Sequence, residues 1–224
     1  MISIIIPTLN EASLIGGCIG SLRTEACDSE IIVADGGSSD NTGDIVSGIP
    51  GVRLVDSPKG RGLQMNRGAT VAAGDILLFL HADTVLEPGW SHCILSSLKN
   101  TTAVGGAFTL AVRNRSWQYR LMEAWVRMRC VLCKLPYGDQ GIFIRKDVFT
   151  HINGYREIPL MEDVDLVGRM GKIGRIAIAG KKAFTSDRRW AKRGFIRTAA
   201  KNQAIMLLYR LGVNPERLYQ LYYR

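Results

Sequence analysis

Between residues 3 and 80 the chain alternates four short apolar runs with helix-like segments, and every run stops at a polar cluster. The runs cover residues 3–7, 30–34, 52–55 and 76–80. Apolar runs this short, bounded by turn residues, suit strands buried on both faces of a parallel sheet. Between them lie helical patterns at 12 to about 26, behind Asp40 and Asn41, and from the Gly60-Arg61-Gly62 loop to residue 73. Asp40 or Asn41 can cap the second of these. The repetition predicts βα units and an α/β fold with a largely parallel sheet. Right-handed crossovers bring the strand ends to one edge, where open α/β sheets gather their chemistry. The run Ile76 to Leu80 delivers His81 and Asp83 to that edge. On its own it reads equally well as a strand closed by an Asx turn with a solvated Asp.

Farther along, Pro88 suits the first turn of a helix reaching about residue 99, followed by a strand at 103–112. Residues 116–134 form a helix with a wide apolar face (Trp117, Tyr119, Leu121, Met122, Trp125, Val126, Met128, Leu132) and a narrow polar stripe. Such a helix is expected to pack into the core, with a dimer or membrane contact as the alternative cover. A loop at 136–141 precedes a strand at 142–145, and Glu162, Asp163 and Asp165 open a helix to about residue 172. Acids in a first helical turn also favour the helix dipole. A strand at 175–179 leads to Ser186-Asp187-Arg188-Arg189-Trp190. A helix at 194–212 follows, with Ile196, Ala200, Gln203, Leu207 and Leu211 on one side, and a short helix from Pro215 carries Tyr219, Tyr222 and Tyr223. Without repeats or a linker, residues 1–224 read as a single domain.

Charge is unevenly placed. Residues 169–224 hold 14 of the 29 Lys and Arg with only Asp187 and Glu216 in return, a net of +12 against −3 for the rest. A basic C-terminal quarter suggests an anionic partner: ligand phosphates, a membrane surface or nucleic acid. No apolar run approaches the ~20 residues of a membrane span, and the first residues read as a strand rather than a signal peptide. Five cysteines without a framework agree with a reducing, intracellular compartment. The lone pair Cys130 and Cys133 has no second pair or nearby His to complete a metal site.

Several chemistries lack their signatures. There is no Gly-x-Gly-x-x-Gly, no Gly-Lys-Ser/Thr phosphate loop and no Gly-x-Ser-x-Gly elbow. What remains is a set of carboxylates, Asp35, Asp83, Glu162 and Asp163, on a nucleotide-type sheet.

Four motifs in order carry a resemblance. Ser3-Ile4-Ile5-Ile6-Pro7-Thr8-Leu9-Asn10-Glu11, Ile31-Ile32-Val33-Ala34-Asp35-Gly36-Gly37-Ser38-Ser39-Asp40-Asn41-Thr42, Gly74-Asp75-Ile76-Leu77-Leu78-Phe79-Leu80-His81-Ala82-Asp83 and Glu162-Asp163-Val164-Asp165-Leu166 resemble family 2 glycosyltransferases of the GT-A fold, over about residues 2–190. The resemblance implies a Rossmann-like, mixed but mostly parallel sheet flanked by helices, with a helical basic C-terminal segment. It implies a nucleotide-binding half at about 1–100, an acceptor and catalytic half at about 101–190, and the helical segment at about 191–224. The implied reaction is inverting transfer of a sugar from a nucleotide diphosphate donor, a UDP-sugar, assisted by Mn²⁺ or Mg²⁺.

By the same resemblance Pro7, Thr8, Asn10 and Glu11 line the nucleotide pocket, Asp35 accepts a hydrogen bond from the base, and Arg61 sits beside the nucleotide. Asp83 is the metal ligand of the family's Asp-x-Asp element. Asp163 is the catalytic base with Glu162 beside it, Asp139 and Gln140 face the acceptor, and Arg188, Arg189 and Trp190 echo an Arg-Trp motif near the diphosphate. Asp165 supports its neighbours. Two departures stand out: His81 replaces the first Asp of Asp-x-Asp, and Gly36 replaces the second acid of the usual Asp-Asp-Gly-Ser. His81 is a second candidate metal ligand, or else a donor-sugar contact or a turn residue.

A carboxylate near the acceptor hydroxyl can take its proton, while a cation and Arg side chains stabilise the departing diphosphate. A nucleotidyltransferase is the runner-up, opposed by the lack of a Gly-rich basic loop after the first strand. A nucleic-acid-binding domain rests on charge alone, so no nucleic acid partner is expected. The acceptor is left open between a lipid-linked and a small molecule. The expected location is the cytoplasm, with peripheral contact at the inner face of a membrane.

Overall fold

The structure, a computed structural model, describes all residues except 26, 100, 101, 115, 134, 135, 189, 191–193 and 224. Eight described strands form one sheet in the order β3-β2-β1-β4-β7-β6-β8-β5. They are β1 (Ile2–Thr8), β2 (Ser29–Asp35), β3 (Val52–Asp56), β4 (Ile76–Phe79), β5 (Val85–Leu86), β6 (Ala103–Val112), β7 (Ile142–Arg145) and β8 (Arg175–Thr185). The first four run parallel, as their βα spacing requires. β7 is antiparallel to both β4 and β6, whereas β6 and β8 are parallel. The fold is thus a mixed, mostly parallel α/β sheet flanked by helices.

The alternation of β1 shows why both faces are covered. Ile2, Ile4 and Ile6 enter one apolar cluster with α1 (Ala12–Leu22), α2 (Thr42–Ser47) and α4 (Trp90–Leu98). Ile5 points to the opposite cluster with α3 (Arg61–Val71), α6 (Lys146–His151) and α7 (Glu162–Ile173). Successive strand residues face opposite ways, so a run without polar interruption needs helices on both sides. At the crowded centre of the second half, β6 passes so close to β8 that a Cβ on Gly106 would stand 2.2 Å from the Ala177 carbonyl oxygen. Only a residue without a side chain fits there.

Three sequence expectations needed correction. The first helix ends at Leu22, short of residue 26. The strand expected at 175–179 continues to Thr185, because its second half pairs with both β6 and the two-residue β5. The helix α5 (Trp117–Cys133) does not bury its wide apolar face. Among its described side chains only Tyr119, Val126 and Cys130 are buried, the last two against Leu110 of β6, while Trp117, Leu121, Trp125 and Leu132 are 51–72% exposed. The apolar stripe of α8 (Phe195–Arg210) likewise faces outward: Ile196, Leu207 and the following Leu211 are exposed, and Thr198, Ile205 and Met206 are inside. The physical reason is geometric. One side of each helix finds a partner, α5 on Leu110 of β6 and α8 against Leu218 and Tyr222. The last helix, α9 (Pro215–Tyr223), packs on α8 through Leu218 and Tyr222.

Candidate functional site

The carboxyl ends of β1, β2 and β4 share one edge, because Thr8 pairs with Asp35 and Ile5 with Phe79 in parallel register. The Thr8 hydroxyl therefore meets the Asp35 carboxylate and donates to Oδ1 at 2.9 Å. Ser38 Oγ donates to the same oxygen at 2.6 Å, and the N–H groups of Gly37 and Ser38 donate to Oδ2 at 3.0 and 2.7 Å. Burial disfavours ionisation of Asp35, but these bonds outweigh it and hold the carboxyl below its ordinary value. Four donors use the acceptor capacity of a carboxylate. Asp35 thus shapes the loop at 36–38, and a contact to a base would require exchanging one of these bonds. Asn10, held in the left-handed region at φ 57°, is tied into the same loop: its N–H donates to Ser38 Oγ, and its Oδ1 accepts from Ser39 N–H.

The substitution at position 36 has a local explanation. A Cβ on Gly36 would lie 3.0–3.2 Å from the Gln64 amide group. Gln64 is buried and donates from Nε2 to the carbonyls of Thr8 and Ala34 at 2.7 and 2.9 Å. It clips the ends of β1 and β2 together where the usual second acid would stand. Asp40, rather than Asn41, organises the start of α2, accepting from Thr42 N–H at 3.0 Å and from Ala12 N–H at 3.1 Å.

Two cavities open on this edge. One of about 900 Å³ is walled by Pro7, Thr8, Glu11, Lys59, Arg61 and Arg188, and roofed by Tyr219, Tyr222 and Tyr223 of α9. Arg188 reaches across its mouth to Glu11 at 3.0 Å. The other, about 680 Å³, contains Asp139, Glu162, Asp163 and Trp190 and runs out between α5 and α8. Arg61, His81, Asp83 and Tyr222 belong to both, so the cavities meet there. The turn carrying His81 and Asp83 is closed by Thr84 N–H donating to the His81 carbonyl at 3.1 Å, and from behind by the buried Cys18 thiol on the Thr84 carbonyl at 3.3 Å. Burial pushes that thiol up to about 12, so it is an inert donor rather than a nucleophile.

At the start of α7 the chain turns through Met161 at φ 69°, a left-handed conformation uncommon for such a side chain. The turn sends neighbouring acids different ways. Glu162 is 3% exposed and pairs with Arg61 Nε at 3.3 Å. Burial raises its carboxyl above the ordinary value, opposed by Arg61 and reinforced by Asp163. Asp163 accepts from Gly138 N–H at 2.6 Å through Oδ2 and from Val164 N–H at 2.8 Å through Oδ1. His81 converges on the same place: its Nε2 and the Asp163 Oδ2 lie 3.3 and 3.1 Å from where a Cβ on Gly138 would stand. Asp165 is bound by Arg169 at 2.6 Å and Arg156 at 3.3 Å, as a supporting residue should be.

Among the described residues no three acidic, His or Cys side chains gather as a metal cage. Asp83 is the carboxylate common to both cavities. That donor set suits Mg²⁺ or Mn²⁺, which combine one or two carboxylates with substrate phosphates and water, and does not suit a closed four-ligand site. Cys130 is buried and its thiol donates to Gln140 Oε1 at 3.3 Å.

Most of the expected residues come together, with informative exceptions. Asn10 and Asp35 lie in the loop behind the larger cavity rather than on its wall. Trp190 lines the smaller cavity instead of the larger, and Arg189 lies outside the described residues. Gln140 does not face an acceptor. It is 1% exposed, donates to the Phe108 carbonyl at 2.8 Å and accepts from Tyr137 N–H at 3.1 Å, so its amide is committed inside the protein. Sequence reasoning missed Gln64, Gly138 and the α9 tyrosines. The cluster of three tyrosines at 219–223 was visible, but nothing local says that α9 folds back over the donor edge.

A mixed, mostly parallel α/β sheet with two cavities that meet on its carboxyl edge at Arg61, His81, Asp83 and Tyr222 is an architecture of the GT-A type. The sequence matches Glycosyl transferase family 2 over residues 3–155, and the chain belongs to that family. Over 162 residues it is 44% identical to a PGL/p-HBAD biosynthesis glycosyltransferase of Mycobacterium bovis (strain BCG / Pasteur 1173P2), an overlap covering 69% of this chain and 63% of that protein. The chain thus spans less than two thirds of that relative's length. Among solved structures, S. aureus TarS 1-349 in complex with UDP-GlcNAc superposes with a TM-score of 0.65 at 16% identity, over 83% of this chain and 58% of TarS 1-349. The mannosyltransferase PcManGT from Pyrobaculum calidifontis, in complex with GDP-Man and Mn²⁺, gives 0.67 at 16% identity, over 99% of this chain and 68% of that one.

Proposed function

We propose that this chain transfers a sugar from a nucleotide diphosphate-sugar, a UDP-sugar, to an acceptor hydroxyl with inversion. The observation that carries the reading is the meeting of the two cavities at Arg61, His81 and Asp83, with Asp163 on the acceptor side alone. The donor occupies the larger cavity, its nucleotide between the β1 end (Pro7, Thr8, Glu11) and the α9 tyrosines, its diphosphate toward Arg61, Asp83 and Arg188. The acceptor hydroxyl approaches from the smaller cavity. Asp163 takes its proton as the acceptor oxygen bonds to the anomeric carbon, and the bond to the diphosphate breaks on the far side. Attack and departure on opposite faces invert that carbon. Base catalysis of this kind contributes about 10²–10⁴ in rate.

A divalent ion, Mn²⁺ or Mg²⁺, bound at Asp83 would supply charge against the departing diphosphate. In this reading His81 positions Asp163 across Gly138, which leaves Asp83 the principal metal residue. TarS, crystallised with UDP and UDP-GlcNAc, supports a uracil base, and the GDP-Man complex of PcManGT names the competitor. The free thiols Cys18, Cys27 and Cys93 fit the cytoplasm, and the basic C-terminal quarter fits an anionic membrane surface at its inner face. No helix among the described residues is long and apolar enough to cross a membrane.

Calorimetry with UDP and GDP, each with and without Mn²⁺, tests the proposal. UDP is expected to bind more tightly with Mn²⁺, and Asp83→Ala to remove the metal's contribution while leaving weaker nucleotide binding. Absence of binding by either nucleotide under any condition would sink the reading.

A further inference from the structure

The cavity holding Asp163 has a lining of two kinds. Where it meets the larger cavity it has Arg61, His81 and Asp83, and its polar lining also includes Asp139, Glu162 and Asp163. The other kind is apolar, Trp117, Leu121 and Trp125 of α5 with Phe195 and Ile196 of α8. These are not core residues: Trp117, Leu121 and Trp125 are 69, 61 and 51% exposed, and Ile196 is 79% exposed. Trp117, Leu121 and Trp125 recur every four residues, which places them on one helix face over about 12 Å. The base of the cleft is aromatic, since Phe195 packs edge-on against Tyr119 and beside Trp190, with centroids 5.3 Å apart in each case. Three of the four tryptophans in the sequence therefore line this cleft, and the fourth, Trp90, is 1% exposed in the core.

An acceptor that is hydrophilic over its whole surface gains little from aliphatic walls such as Leu121 and Ile196, whereas leaving these walls in water is costly in proportion to their apolar area. We infer that the cleft between α5 and α8 is a subsite for an acceptor with an apolar body, an alkyl chain or aromatic aglycone, whose hydroxyl end reaches Asp163. The inference rests on Asp163 as the base, and it adds the acceptor's chemical class. A membrane surface without cleft recognition is a different occupant, and so is a second copy of this chain. The control for both is Leu132, on the same helix and 72% exposed but outside the cleft.

The test uses methyl, hexyl and octyl β-glucosides below micelle-forming concentrations, titrated by calorimetry into the native protein and into Trp125→Asp, Ile196→Asp and Leu132→Asp. Affinity is expected to rise about three- to fourfold per methylene, the increment of a buried CH₂. Trp125→Asp and Ile196→Asp should each weaken octyl glucoside at least about tenfold, and Leu132→Asp should leave it unchanged. All three sites are exposed, so folding should survive, as circular dichroism can verify. Equal affinity at every chain length would overturn the inference. An equal loss with Leu132→Asp would do the same and mark general surface adsorption. So would sedimentation showing a native dimer that Trp125→Asp dissociates. UDP titrated into the same samples separates the two proposals: normal UDP binding without chain-length dependence removes only the apolar subsite. Chain-length dependence without UDP binding removes the donor reading instead.

Discussion

The amide N–H of Gly138 donates to Asp163 Oδ2 at 2.6 Å, joining the loop before β7 to the first turn of α7 across 25 residues. The same glycine leaves room for His81 to come beside that carboxylate. Position 138 thus sets where the proposed base sits, without supplying a reacting group of its own.

Gly138→Ala would put a methyl 3.1 Å from Asp163 Oδ2 and 3.3 Å from His81 Nε2, closer than most real Cβ contacts. Transfer is expected to fall about tenfold or more, because small misplacements of a catalytic group are expensive. UDP affinity and melting temperature should change little. Native kcat in this variant would remove the positioning role.

Asp163→Asn keeps the shape and one of the two N–H bonds, from Gly138 or from Val164, while removing the proton acceptor. Turnover should drop by about 10²–10⁴, with nucleotide affinity retained. Single-turnover kinetics with saturating donor check this directly. Full activity would transfer the base assignment to another group, Glu162 first.

The Arg61–Glu162 pair couples a cavity residue to a buried acid. Arg61→Ala leaves Glu162, 3% exposed, without its cation at 3.3 Å. A loss of roughly 1–3 kcal/mol is expected, less than for a fully buried pair because Arg61 is 36% exposed. Denaturant unfolding of Arg61→Ala, Glu162→Gln and the double variant should show non-additivity, the double being milder than the sum. Burial raises the Glu162 carboxyl above its ordinary 4.5. Its stabilising contribution is therefore present below about 4.5 and fades as pH rises through the folded value. Glu162→Gln should accordingly gain stability relative to the native chain between pH 4 and pH 7.

Asp35 behaves in the opposite sense. Its carboxyl is held below the ordinary 3.8, so its contribution is present above that value and is lost as pH falls through the folded one. Asp35→Ala should cost on the order of 2 kcal/mol at pH 7, for the loss of bonds to a charged acceptor. The difference from the native chain should shrink below about pH 4, as urea titrations at pH 7 and pH 3 would reveal. A constant difference would contradict the role assigned to the four hydrogen bonds.

The sequence determined the βα half and the acids at its edge. Uninterrupted runs such as Ile4-Ile5-Ile6 require helices on both faces, and parallel crossovers can bring the polar ends of β1, β2 and β4 only to a common side. The place of Asp83 on that edge was therefore legible, and so was the family. Burial direction along α5 and α8 was not legible, because periodicity tells which residues share a helix face and not whether another element covers it. The stripe Trp117, Leu121, Trp125 reads identically as core or as cleft, and only packing left it open. Gln140 turned inward for a similar reason: a loop amide goes where unpaired backbone groups need it, here the Phe108 carbonyl and the Tyr137 N–H. The meeting of His81, Gly138 and Asp163 belongs wholly to the tertiary structure. It depends on β7 entering antiparallel between β4 and β6, which sets the turn before it against the start of α7.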